Sequence, residues 1–179
     1  MRCPSALPDE LDRLEALAHY ELSSDRPLPS LDPIVRIAAH AFDVPAAAVN
    51  MIGRDEVFFA ASTGIAECDM RRDISFCAHA ITQDDVLVVE DARLDARFHD
   101  NPLVTGDAQV RFYAGVPVRS PEGYALGALC VIDSRPRSSF SSEDRMRLKE
   151  MAKLVCDRLE LRRLRARVHM GPMRRHWRR

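Results

Sequence analysis

Nowhere in the 179 residues does an apolar run approach the length of a membrane span, and no signal-like apolar stretch follows the first methionine. The cysteines Cys3, Cys68, Cys77, Cys130 and Cys156 are scattered, odd in number and without a Cys-x-x-Cys pair. They therefore spell out no disulfide framework and no paired redox or zinc motif. Together these absences imply a reducing, cytoplasmic setting, with any membrane contact made through a partner. An excess of one charge is also missing. A formal net charge of −1 excludes a uniformly basic nucleic-acid binder. What is present suffices for one domain, because 46% hydrophobic residues can fill a core at this chain length.

From Pro8 to Leu22, Leu11, Leu14, Leu17, Ala18 and Leu22 recur every three or four residues, the spacing of an amphipathic helix. After a break rich in proline and serine, Ser30 is placed to cap a second helix, Leu31 to Phe42, with Ile34, Ile37, Ala38 and Ala41 facing inward. Ala46 to Ile52 and Glu56 to Ser62 read as strands joined by a hairpin at Gly53-Arg-Asp55. A polar connection carrying Cys68 then leads to Asp73-Ile-Ser-Phe-Cys-Ala-His-Ala-Ile81, where Ser75 can cap a short helix bearing Cys77 and His79.

Val86 to Val89 is a short strand. The polar segment Glu90 to Gln109 that follows has no apolar face of its own, and an insertion of that length in a small domain reads as a binding loop or lid. Val110 to Ser120 and Tyr124 to Asp133 form a second hairpin around Pro121-Glu-Gly123. Ser141 and Asp144 resemble a capping box opening a long final helix, whose apolar positions run through Leu148, Met151, Leu154, Val155, Leu161, Leu164 and Val168. This stripe is longer than one small core can cover. It predicts a homodimer held partly by Leu154, Leu161, Leu164 and Val168; the alternative is a helix folded back on its own N-terminal helices. The divisions expected are 1–30 for an N-terminal helix and linker, 31–170 for the main domain with its long helix, and 171–179 for a basic tail. Consecutive hairpins with helices at both chain ends predict an α+β fold: a mostly antiparallel sheet, helices on one face, and a pocket beneath the insertion on the other.

The runs DISFCAHAI, VLVVEDARLDARFHDNPLV, VRFYAGVPV, EGYALGALCVID and FSSED, in that order, resemble the GAF domain of bacterial signalling proteins. The resemblance implies a twisted sheet of about six strands, terminal helices that dimerise, and a ligand pocket on the opposite face. It implies a small-molecule-binding sensory or regulatory domain, non-catalytic, acting on a second copy or on a signalling partner in trans. The N-K-…-F-…-D-E signature of cyclic-nucleotide-binding members falls on Asp133, Ser134, Phe140, Asp144 and Arg145, of which only Phe140 and Asp144 match. Some members reduce free methionine sulfoxide with cysteines in the short helix and near Val110; here the latter reads Val-Arg-Phe-Tyr, without a thiol.

The candidate ligand-binding residues are Phe76, Cys77, His79, Asp91, Asn101, Arg111 and Tyr113. Phe76 and Tyr113 would form apolar walls. Arg111 would anchor an anionic or planar ligand, or else pair with Asp91 or Asp100 and tie the insertion to the sheet. Asn101 and Pro102 would fix the lid, while Arg93 and Asp95 belong to a solvated, salt-bridged surface. Cys77 is read as a small buried hydrophobe, with a thiol-based redox enzyme or switch as the rival and a ligand-free dimerisation module as a third reading. No nucleophile, base and orienting group form a legible triad. Four spaced zinc ligands are missing around Cys68, Cys77 and His79, haem ligation by His79 has no signature, and no covalent chromophore motif is found, so the cofactor stays unassigned. The arginines from Arg162 onward, with Trp177, could meet nucleic acid or acidic lipid, but a solvated terminus is the expectation.

Overall fold

A computed structural model describes residues 2–22, 28–65 and 70–169, with side chains to 165. Six strands, β1 (Ala46–Ile52), β2 (Glu56–Thr63), β3 (Met70–Arg71), β4 (Leu87–Val89), β5 (Phe112–Arg119) and β6 (Ala125–Asp133), form one sheet in the order β3-β2-β1-β6-β5-β4. Every neighbouring pair is antiparallel. The fold is α+β. Its two hairpins meet where β1 and β6 pair, so the centre of the sheet joins distant parts of the chain.

Helices α1 (Glu10–Ala18), α2 (Asp32–Ala41) and α5 (Ser142–His169) cover one face. There Leu17, Val35, Ala38, Leu148, Val155 and Leu159 pack on Val49, Met51, Phe112 and Ala114. The opposite face carries α3 (Phe76–Ala80) and the segment 90–109, which contains the short helix α4 (Pro102–Thr105). On that side Phe76, Cys77, Ile81, Phe98 and Val104 pack on Ala48, Ile52, Tyr113, Ala128 and Cys130. Because both faces are covered, β1 is buried along its whole length, whereas a strand covered on one side would alternate.

Local chemistry accounts for several element ends. Ser75 Oγ accepts from the Ala78 amide at 3.4 Å and caps α3. Ser141 and Asp144 form a reciprocal capping box, the Asp144 amide donating to Ser141 Oγ at 3.1 Å and the Ser141 amide to Asp144 Oδ2 at 3.0 Å. Gly64 sits at φ +71°, where a Cβ would lie 1.9 Å from the Pro45 carbonyl oxygen, so no larger residue fits this close approach. Two readings of the second helix are corrected. Ser30 does not cap it: the cap position is Leu31, without a side-chain bond, and a proline lies in the first turn. Ile37, 58% exposed, and Ala41 point outward while Val35 is buried, because the sheet meets the Ile34, Val35 and Ala38 side of the helix. Among the described residues, no helix is long and apolar enough to cross a membrane.

Candidate ligand face and a buried sulfur cluster

The α3 side of the sheet gathers most of the residues singled out in the sequence. The Phe76 ring stacks on Phe98 with centroids 4.0 Å apart and leans against Tyr113 at 5.2 Å. All three rings are essentially buried, so the space between sheet and insertion is filled by aromatic side chains. Tyr113 lies over Gly115, two residues along β5, where a Cβ would come within 2.1 Å of the hydroxyl oxygen. That missing Cβ lets the phenol cross the strand, and its hydroxyl donates to Cys77 Sγ at 3.3 Å.

Cys77 Sγ receives a second donor, Asn50 Nδ2, at 3.2 Å, and lies 3.6 Å from Cys130 Sγ. Asn50 faces this layer by the ordinary alternation of β1, between Val49 and Met51 of the opposite core and across from a bulge at Ala60 of β2. The amide nitrogen is used, but the side-chain oxygen is buried and unpaired. The contact with Cys130, and after it Tyr113 and Asn50, holds the Cys77 thiol below its ordinary value against the effect of burial. The same contact, with burial, pushes Cys130 well above its own. Burial and the neighbouring sulfurs raise Tyr113 as well, so the phenol keeps its proton and acts as a donor.

The remaining candidates surround this layer. His79 Nε2 lies 3.0 Å from the Arg2 carbonyl oxygen, to which the ring donates; burial lowers its pKa and favours the neutral ring. Asn101 is buried with both ends of its amide in use: Oδ1 accepts from the Leu103 amide at 2.8 Å, and Nδ2 donates to the Ile74 carbonyl at 2.9 Å, fastening the insertion to the turn before α3. Arg111 Nη1 donates to the carbonyls of Val104 at 2.8 Å and Val110 at 3.1 Å. It ties α4 to the sheet through backbone oxygens. Asp91 pairs with Arg93 at 2.6 Å and Asp95 with Arg97 at 2.6 Å, two Asp-Ala-Arg turns in succession. Each arginine holds its aspartate below the usual carboxylate range. Asp91 also lines an open cleft with Val88, Leu94, Pro136 and Arg137 at the outer edge of β4.

Asn50, Phe98 and Cys130 were not singled out in the sequence. Asn50 carried a weak signal as the one polar residue in an otherwise apolar strand, whereas Cys130 had none, since it reads as one more small residue in an apolar run. Cys68 and the tail 171–179, including Trp177, lie outside the described residues, as does the side chain of Val168. Leu154, Leu161 and Leu164 are 54%, 39% and 53% exposed on α5.

The model of the GAF domain family matches residues 27–159, and the chain belongs to that family. It is 36% identical over 159 residues to a cyclic di-GMP phosphodiesterase of Pseudomonas aeruginosa, covering 89% of this chain and 27% of that protein, so it spans about a quarter of the relative's length. Among solved structures, the GAF domain of an Acinetobacter phosphoenolpyruvate-protein phosphotransferase superposes with a TM-score of 0.57 at 20% identity, covering 90% of this chain and 97% of that one. A free methionine-R-sulfoxide reductase from Neisseria meningitidis, solved in complex with its substrate, gives 0.62 at 19% identity, with 86% and 87% covered. At these identities the two structures speak for the fold alone.

Proposed function

We propose that this GAF domain is a non-catalytic sensory module that takes a small molecule against the α3 face of its sheet. The change would pass through α1 and α5 to a second copy of the chain or to a signalling partner. The observation that carries this reading is the side-chain oxygen of Asn50, buried and unpaired beneath α3 and the insertion. A buried acceptor without a donor costs about 1–3 kcal/mol, which a donor on a ligand would recover. Phe76, Phe98 and Tyr113 offer flat apolar surface around it; Cys77, His79 and Asn101 close the walls, with Asp91 and Arg111 at the rim. Ligand entry requires the insertion to move, and moving α4 would release the Arg111 guanidinium from the Val104 carbonyl for an anionic group.

A ligand can bias signalling only if it binds one arrangement of the helices better than another. The exposed Leu154, Leu161 and Leu164 support a helical interface with a second copy. The identity to a protein named as a cyclic di-GMP phosphodiesterase supports a regulatory part in second-messenger signalling.

Native mass spectrometry of protein purified from its host tests the reading, since it reports bound mass and oligomeric state together. A bound species is expected, and Arg111→Ala should weaken an anionic one by about tenfold or more, the loss of one charge-assisted hydrogen bond. Absence of any bound mass, together with no thermal shift across a panel of nucleotides and anionic metabolites, sinks the proposal. If Arg111→Ala unfolds the ligand-free domain, the residue is a structural tie and not an anchor.

A further inference from the structure

Cys77 and Cys130 are 53 positions apart in sequence, yet their sulfurs approach to 3.6 Å in a layer that leaves each residue at most 3% exposed. The contact has a structural cause. Cys130 is flanked in register by Ala48 on β1 and Gly115 on β5, so no bulky side chain separates it from the helix above. Cys77 is the better nucleophile of the two, because the Tyr113 hydroxyl and the Asn50 amide both point N–H or O–H at its sulfur, and donors aimed at sulfur favour the thiolate. A disulfide has sulfurs about 2.05 Å apart, so a closure of roughly 1.5 Å, within the reach of cysteine rotation and a small shift of a five-residue helix, would join them.

We propose that Cys77 and Cys130 are an oxidisable dithiol, which a small neutral peroxide converts into an intramolecular disulfide fastening α3 to the centre of the sheet. The Cys77 sulfur attacks one peroxide oxygen. An S–O bond forms and the O–O bond breaks, and the leaving hydroxide takes the thiol proton to become water. The Cys130 sulfur then attacks the Cys77 sulfenic acid: the S–S bond forms, the S–O bond breaks, and hydroxide leaves as a second water with the Cys130 proton. Two electrons pass from the sulfurs to one peroxide. Burial selects the oxidant, since a water-sized neutral molecule can penetrate a packed layer while a charged tripeptide disulfide cannot. The disulfide would also take from Tyr113 and Asn50 the thiolate they favour, on the face assigned above to ligand. The site does not depend on a ligand, and its test needs none.

The purified full chain is reduced, freed of reductant, and exposed to hydrogen peroxide or, separately, to oxidised glutathione. It is then alkylated in denaturant and digested with trypsin. Cleavage leaves Cys77 in residues 73–93 and Cys130 in 120–137, apart from the other three cysteines. With peroxide, both thiols should disappear together into one cross-linked peptide pair, about tenfold faster or more than with oxidised glutathione. In Cys130→Ala no cross-link to 120–137 can form, and Cys77 should accumulate as a sulfenic acid trapped by dimedone. The proposal is overturned if the 73–93 peptide remains fully alkylated after Cys3 has been oxidised. Recovery of Cys77 as sulfinic acid beside intact Cys130 overturns it as well, as does equal cross-linking by the two oxidants.

Discussion

Arg13 has no exposed side-chain surface, a state tolerated only when every N–H finds an acceptor. Its Nη1 donates to the carbonyls of Ile52 at 2.8 Å and Ala125 at 3.2 Å, its Nη2 reaches Gly53 O at 3.5 Å, and Nε and Nη2 grip both oxygens of Glu10. Arg72 closes on the same carboxylate from the far side. Arg13→Ala leaves the Glu10 carboxylate to Arg72 alone and takes the donor from the Ile52 and Ala125 carbonyls, so urea denaturation should show a loss of about 2–5 kcal/mol, the cost of two stranded acceptors. A loss near zero would mean the network is idle. Burial works to raise the Glu10 pKa, but the hydrogen bonds of Arg13 and Arg72 outweigh it and bring the group from 4.5 down to about 2. A depressed carboxylate contributes stability that is complete above about pH 4.5 and is lost as pH falls toward 2. Glu10→Gln should therefore flatten the stability profile in that acid window and cost about 1–2 kcal/mol at neutral pH, after allowance for solvent screening. Parallel profiles for the two proteins would refute it. In the sequence Arg13 was only one of the polar residues between the leucines of an amphipathic helix, because hydropathy spacing cannot tell a solvated charge from one that folds under its own helix.

At the scale of elements, β5 is built around an absence. Gly115→Ala would place a methyl 2.1 Å from the Tyr113 hydroxyl oxygen, so the phenol must swing off Cys77 and repack against Phe76. The expected cost is about 1–3 kcal/mol in chemical denaturation, the range for overpacking a tight interior. A variant as stable as the parent would show that the ring has room the structure does not reveal. The long helix α5 departs from its reading as one stripe. Leu148, Ala152, Val155 and Leu159 are buried on the sheet, while Leu154, Leu161 and Leu164 form a separate exposed row. Both sets repeat near the helical period, so the sequence merged them. The insertion was legible in position but not in character: its lack of an apolar stripe concealed Ala92, Phe98 and Val104, which come from separate turns and are buried together.

For the whole molecule, the exposed leucine row leads to a prediction of a homodimer at tens of micromolar, an order of magnitude at which helical apolar interfaces normally persist. Light scattering should give twice the chain mass for the parent, and Leu154→Glu, at a position 54% exposed, should give the monomer mass without loss of fold. A parent chain that scatters as a monomer would remove the interface.

The sequence by itself determined the order of the longer elements, though not the two-residue β3 or the short α4, together with the two hairpins, the caps at Ser75 and Ser141 and the α+β class, because each depends on spacing and turn chemistry within a few residues. Tertiary structure alone decided the rest. The pairing of β1 with β6 brings residues about eighty positions apart into register, and that pairing seats Cys130 beneath Cys77 and Asn50 beside it. It also brings the Ile52 and Ala125 carbonyls together over Arg13. Such contacts depend on which distant backbones hydrogen-bond, and periodicity along the chain carries no record of that choice.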